Sequence, residues 1–306
     1  MTKQSDTSND LRRRSNRFRY QYSKTAYVML LPALLLLAVF STIPLIMALF
    51  RSFSDYNTGE WTGLDNFDYV LKTPSFIGSF RNVLLFIAII VPAMIILSFL
   101  FAHVLRNIGS RLSSAVKVIL YIPCLLSGVV VAILYMFLMN YGGGLFTSIF
   151  ISLGLQPISF QTDGLWPYVC IIIPTLWGGF GYNSLVMYAG LMNVPRQYYE
   201  AAQLDGAGAL RRMFSVTIPC MKNYFILTLV SLITSTLQML EIPYLITGGG
   251  PLEKTLTPAL YLFNSFRDAG RPQNVTIAGA LMIMVLTVVT NVIAFSLIKS
   301  GKTEEG

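Results

Sequence analysis

Six long stretches of the chain carry almost no charge, and polar or glycine-rich segments divide them. They run Tyr27–Phe50, Val83–Leu105, Val118–Met139, Leu165–Leu191, Asn223–Leu240 and Asn274–Ile298, with His103 the one acidic or basic side chain among them. Roughly 18 consecutive apolar residues suffice for a helix to cross a bilayer. The pattern therefore predicts an all-α integral membrane protein with six transmembrane helices. The first stretch exceeds the apolar core of a secretory signal and leads into Arg51-Ser52-Phe53 rather than a small-residue cleavage site. It is expected to stay as a helix.

The intervening segments differ in kind. Asn193–Lys222 is helical in pattern, Arg51–Asn82 is polar and aromatic, and Asn140–Gly164 is glycine-rich. Lys and Arg collect in cytoplasmic loops, so their placement sets orientation. With the N-terminus inside, the cytoplasmic segments hold Lys3, Arg12, Arg13, Arg14, Arg17, Arg19, Lys24, Arg106, Arg111, Lys117, Arg196, Arg211, Arg212, Lys222, Lys299 and Lys302. The other side holds only Arg51, Lys72, Arg81, Lys254, Arg267 and Arg271. That bias puts both termini in the cytoplasm. The expected organisation is a basic tail over 1–26, a six-helix membrane domain over 27–298 and a short tail over 299–306. No internal repeat stands above chance, so the duplicated architecture of many secondary transporters is not visible.

Composition narrows the chemistry. Of 306 residues, 54% are hydrophobic and 12% charged, against about 25% charged in soluble domains. Disordered, collagen-like and disulfide-scaffold classes are excluded. A net charge of +8 invites a nucleic-acid reading. Yet the basic cluster of the N-terminal tail lies beside a span and alternates with Phe18, Tyr20 and Tyr22, which suits an anchor on the lipid bilayer. No nucleic-acid partner is expected. Cys124, Cys170 and Cys220 lack CxxC spacing and read as free structural thiols. A single histidine leaves no multi-histidine metal site. Gly301-Lys302-Thr303 has the ending of a P-loop, but Ser296 stands where that loop needs its first glycine. With no acid pair, triad or metal cluster, the chain is expected to bind no cofactor and to be no enzyme by itself.

The segment Asn193–Gly206 has helix punctuation. Asn193 is a candidate cap, Pro195 suits a first turn, and Gly206 suits a stop. Ala207–Phe214 is expected to form a second short helix. Ala201 and Ala202 leave a flat patch for close approach, and Glu200 offers a carboxylate to a partner's Arg or Lys. Composition alone favours the other reading, a solvated amphipathic loop with its charges facing water. Within the fifth stretch, Ser231, Thr234, Ser235, Gln238 and Glu241 fall on one helical face. Polar side chains facing lipid are costly, so this face should line a water-filled path or serve as interhelical glue. In the fourth, Gly178 and Gly179 leave room beside Tyr182, whose ring and hydroxyl suit a sugar; close helix packing is the other reading.

Glu200-Ala201-Ala202, then Gly206, then Val216-Thr217-Ile218-Pro219 resembles the EAA signature of permease subunits in binding-protein-dependent ABC importers, with Val216 and Ile218 where the family usually has Ile and Leu. Leu245-Ile246-Thr247-Gly248-Gly249-Gly250-Pro251, with Thr255 and Pro258-Ala259, looks like the outer loop of maltose-type sugar permeases. Pro32, Pro44, Ser52-Phe53 and Gly63-Leu64-Asp65-Asn66-Phe67 are also similar to that carbohydrate-uptake branch, and the likeness runs over roughly residues 25–300. The resemblance implies a type I ABC importer permease fold, maltose-F-like, in the bacterial inner membrane. It implies a coupling helix in which Tyr199, Glu200, Ala201, Ala202, Asp205 and Gly206 meet an ATPase.

It further implies a midmembrane sugar site at Cys124, Gly128, Gly179, Tyr182, Leu232, Ser235, Thr236 and Met239, to which the residue reading adds Gln238 and Glu241. The implied partners are a second permease subunit in a heterodimer, two ATPase subunits carrying ATP and Mg, and an extracytoplasmic sugar-binding protein. Glycerol-phosphate or another solute is an alternative cargo. An ion-coupled secondary transporter is the competing class, although only Glu241 and His103 approach the titratable group it needs. A membrane scaffold without transport is a third.

Overall fold

The structure is a computed structural model that describes residues 26–268 and 270–300. The basic cluster of the N-terminal tail and the tail from Gly301 lie outside the described residues. The chain divides into two compact units, 1–66 and 67–306.

In the first unit, α1 (Ala26–Ser52) is long and apolar, and none of its most hydrophobic stretch is buried. A helix that is apolar all round demands lipid or another membrane helix as its surroundings. Near its middle, Ala38–Thr42 widens into a π-turn, in which Ile43 N–H reaches back to Ala38 O just before Pro44. A small hairpin caps the helix end. Phe53 and Trp61 stack at 5.2 Å, and Asn66 Nδ2 donates to Ser52 O and Ser54 O. The Asp55 carboxylate accepts N–H bonds from Asn57 and Thr58, which hold its pKa below the usual value.

In the second unit, α2 (Pro74–Asn107) begins well before the expected Val83. Pro74 occupies its first turn, where a missing N–H costs nothing. At 1.5 Å per residue its 34 residues reach about 51 Å, which exceeds a bilayer core of about 30 Å. Next come α3 (Ser110–Tyr121), α4 (Gly128–Leu138), α5 (Leu145–Ser152) and α6 (Trp166–Met192). They are followed by α7 (Arg196–Leu204), α8 (Lys222–Leu237), α9 (Glu241–Ile246), α10 (Pro258–Arg267) and α11 (Gln273–Ser300).

Two of the six expected spans are not single straight helices. Instead of one rod over Val118–Met139, the chain forms two pieces bent by 94°, Arg111–Leu125 and Gly128–Leu138. Pro123 starts a tight 3₁₀ turn, and the Ser127 hydroxyl then caps α4 by accepting Val130 N–H. The fifth span stops at Leu237 and resumes at Glu241. Among the described residues, five helical spans are long and apolar enough to cross a membrane, with Lys222–Ile246 taken as one, and six if the bent pair also counts as one.

The core sits where α2 and α6 pack along each other. Val91, Met94 and Leu232 join α2 to α8, and Phe99, Ala102, Met187, Leu191 and Met221 extend the contact to one end. Small residues permit close approach. A Cβ at Gly190 would meet the Tyr224 ring at 2.7 Å, and one at Gly181 would run into the Leu120 carbonyl.

Candidate functional site

Between α6 and α8 the chain forms an element that is anchored on one side and bare on the other. Its local folding differs from the sequence expectation in one respect. Asn193 ends α6 rather than starting the next helix, and its Nδ2 donates to Tyr224 OH at 2.6 Å. Pro195 is itself the cap of α7, extended at ψ 135°, so helical geometry begins at Arg196.

The far end follows the expectation. Gly206 takes φ +75° with no atom near where a Cβ would stand. Its N–H bonds Gln203 O, and Ala207 N–H bonds Ala202 O, which closes the helix in a Schellman turn. The second short helix forms over Ala209–Arg212 and then continues past Phe214. A π-turn over Met213–Thr217 lets Ile218 N–H reach Met213 O ahead of Pro219, which has no N–H to give.

Tyr199 carries the anchor. Its hydroxyl accepts from Arg106 Nη1 at 3.2 Å and lies 2.9 Å from Thr217 Oγ1, while its ring lies under the Arg106 guanidinium at 4.7 Å. Thr217 is buried and donates onward to Arg212 O at 3.4 Å. The ring also packs on the cluster around Phe99, Met187 and Met221. Glu200, Ala201, Asp205 and Gly206 face away and are exposed, with Ala202 half-buried. Among the described residues, neither acid takes part in a salt bridge. Nearby, Leu204 is 89% exposed, Leu210 72% and Phe214 65%. Exposed apolar side chains therefore flank the exposed carboxylates of Glu200 and Asp205.

The residues assigned to a solute path gather at the two helix breaks. Cys124 Sγ accepts the Tyr182 N–H at 3.2 Å, and the Glu241 carboxylate lies against Gly128. Gly179 leaves room for the Met94 methyl, and its carbonyl accepts Asn183 Nδ2 at 2.8 Å. Tyr182, Ser235, Gln238 and Glu241 are exposed, whereas Leu232, Thr236 and Met239 are buried. Thr236 and Ser235 both return their hydroxyls to Leu232 O. The polar face of the fifth span does not continue as one helical stripe, because Gln238 already has non-helical geometry (φ −96°, ψ 9°).

That break is held from a distance. Buried Thr257 donates to Met239 O at 2.7 Å and accepts Leu260 N–H, so one hydroxyl satisfies a carbonyl at the break and caps α10. Thr257 was not among the sequence candidates, nor were Arg106 and Gly181, which seats the Leu120 carbonyl. Arg106 lies at the end of a span near His103, where a cation able to reach a neighbouring loop is a readable signal. Nothing in local sequence marks the role of Thr257.

Comparison with known proteins places this geometry. Residues 94–300 match the family described as binding-protein-dependent transport system inner membrane component. The lactose transport system permease protein LacF of Rhizobium radiobacter is 31% identical over 260 residues, covering 82% of this chain and 86% of that one. The trehalose/maltose transport system permease protein MalF of Thermococcus litoralis is 28% identical over 281 residues, covering 90% and 95%. Among solved structures, a bacterial ABC transporter involved in the import of the acidic polysaccharide alginate superposes with a TM-score of 0.77 at 23% identity, over 92% of this chain and 99% of that one. That likeness carries the fold: an all-α importer permease. The chain belongs to the binding-protein-dependent transport system inner membrane component family, which makes it a multi-pass membrane transport component and disfavours the ion-coupled alternative.

Proposed function

We propose that this chain is one half of the membrane path of an ATP-driven ABC sugar importer in a bacterial inner membrane, with an oligosaccharide as cargo. The observation that carries the reading is α7, fixed inward through Tyr199 and presenting Glu200, Ala201 and Asp205 outward beside exposed Leu204. Such an element transmits motion: what seats on its outer face moves Arg106 of α2 and Thr217 ahead of α8. The occupant is one of two separate ATPase subunits, which bind ATP and Mg; this chain binds neither. A second permease subunit completes the path. The basic-residue bias supports cytoplasmic termini and a cytoplasmic α7.

Closure of the ATPase pair on ATP opens the path toward an extracytoplasmic binding protein loaded with sugar, and hydrolysis returns it inward. Tyr182, Ser235, Gln238 and Glu241 are the exposed groups of this chain suited to sugar hydroxyls, with Cys124, Gly128 and Gly179 leaving room beside them. Lactose and trehalose/maltose in the names of LacF and MalF support a sugar. The test is affinity purification of the chain from its native membranes with mass spectrometry of what remains bound. ATP-dependent uptake of labelled disaccharides and of sn-glycerol-3-phosphate into vesicles carrying the recovered complex then identifies the cargo. Recovery of an ATPase and a second permease with disaccharide uptake is the expected result. A chain recovered alone, or uptake of glycerol phosphate and no sugar, overturns the reading.

A further inference from the structure

The cleft behind the coupling element has a chemistry that the importer reading does not use. About 430 Å³ in volume, it lies between the end of α2 and the segment that follows α7. Arg106 and Asn107 line it from α2, with His103 one turn earlier on the same helix, and Tyr199, Arg212 and Thr217 line it from the segment beyond α6. No Asp or Glu lines it. Arg106 gives Nη1 to Tyr199 OH in a partly buried contact, Arg212 gives Nη1 to Gln203 Oε1 at 3.4 Å in an exposed one, and neither guanidinium meets a carboxylate among the described residues. The His103 ring is half-buried, within hydrogen-bonding reach of the Phe99 backbone one turn back on its own helix. Two cations with no acid among the lining residues leave a site short of negative charge.

The guanidinium fork matches phosphate oxygens, and a cleft of this size takes a phosphoryl group with a small substituent. We propose that the cleft binds a phosphoryl anion, drawn from an anionic lipid headgroup or from a free phosphate compound, which ties Arg106 to Arg212 and stiffens the coupling element. Both sources reach it. Arg106 lies in the last turn of a membrane-length helix, on the side that the charge bias makes cytoplasmic, where anionic lipid concentrates. The far wall belongs to a water-exposed loop, open to soluble phosphates. An anion here acts on coupling whatever solute is carried, because the element it stiffens is the one that receives the ATPase.

The experiment uses the complex as it co-purifies, without nucleotide, in nanodiscs of phosphatidylcholine alone, of phosphatidylcholine with added inorganic phosphate, and of phosphatidylcholine mixed with phosphatidylglycerol. The readout is amide hydrogen exchange over 196–217. Protection should rise by about tenfold in at least one anionic arm, in line with a charge-assisted bond gained. A gain with phosphatidylglycerol only assigns the site to lipid, and a gain with inorganic phosphate assigns it to a soluble anion. Arg106→Gln with Arg212→Gln should abolish the gain. Arg212→Gln alone leaves the Arg106–Tyr199 contact in place and should reduce it, which decides the matter if the double variant fails to assemble. Equal protection in all three arms, or a full gain retained in Arg212→Gln, overturns the proposal. So does a carboxylate side chain of the ATPase found seated in the cleft.

Discussion

Replacing Tyr199 by Phe isolates the anchor of α7, because it removes one oxygen and leaves the ring. Two bonds go with that oxygen: the 3.2 Å bond from Arg106 and the 2.9 Å contact with Thr217. The guanidinium stays stacked over the ring and, being half-buried, recovers a water, so its loss is small. Thr217 fares worse. It is 1% exposed and keeps only its 3.4 Å bond to Arg212 O, near the limit of a useful hydrogen bond. A buried hydroxyl deprived of its partner costs about 1–3 kcal/mol. If that cost falls on local opening of the element, amide protection over 196–217 drops by about 5- to 150-fold.

Hydrogen exchange on the assembled complex measures the drop, and the ratio of solute imported to ATP hydrolysed measures its consequence. Docking on the outer face survives in Tyr199→Phe, so ATP turnover should persist while import per ATP falls. A double-mutant cycle with Thr217→Val supplies the check. Once the threonine no longer needs a partner, removing the tyrosine oxygen should add little. Strictly additive costs for the two substitutions, or unchanged protection in Tyr199→Phe, would refute an anchor at this pair.

Other substitutions test other parts of the structure. Gly181→Ala should prevent stable assembly, because its Cβ would meet the Leu120 carbonyl carbon at 2.7 Å and backbone cannot swing aside; Gly128→Ala meets only the mobile end of Glu241 and should assemble, as thermal melts of the detergent-solubilised complex will report. Glu200→Lys should insert normally yet lose the ATPase on purification and abolish uptake, and normal uptake would remove α7 from the docking surface. Tyr182→Ala, at a side chain 53% exposed, should change the solute concentration needed for half-maximal uptake without altering subunit composition; an identical uptake curve would take Tyr182 off the path. Thr257→Val leaves Met239 O and Leu260 N–H without their shared partner, at a cost of about 1–3 kcal/mol, and a melt superimposable on the parent's would show that the break at 238–240 is held by something else.

What the sequence disclosed depended on whether the cause lay nearby. Apolar run length is a local property, so the spans at α1, α2, α6 and α11 were legible, with ends displaced chiefly where Pro74 opened α2 early. Gly206 was legible for the same reason: a helix stop in left-handed geometry favours glycine. The bend in the third span left local traces in Pro123 and Ser127-Gly128, but hydropathy averages over direction and hides a 94° turn. The break at Gln238–Leu240 has no proline or glycine before it. Its free carbonyl is satisfied by Thr257, 18 residues away, and such a cause is invisible until the chain is folded. The segment 196–206 was legible as a short helix with its stop, yet the inward turn of Tyr199 depends on Arg106, 93 residues earlier.

The two helix breaks are not independent irregularities. α4 begins at Gly128 just after the bend, α9 begins at Glu241 just after the interruption, and these first residues touch: the Glu241 carboxylate rests where a Cβ on Gly128 would be. Backbone that leaves helical geometry at membrane depth persists only where protein or a water-filled cavity satisfies it. Here protein does so on one side, through Thr257 on Met239 O and through Met239 itself, which packs in the core and takes the Thr175 hydroxyl on its sulfur at 3.6 Å. The other side presents Gln238 and Glu241, both exposed. A bundle that only needed to be stable would have continued two straight helices through this level, since apolar rods satisfy their own backbones at no further cost. Breaking both at one point, with a carboxylate laid over a glycine, places the exposed side chains of Gln238 and Glu241 beside the bend of the third span. The exposed groups beside the breaks are therefore the ones to mutate in a test of solute recognition, whereas Leu232 and Met239 are buried in core clusters and their replacement tests packing.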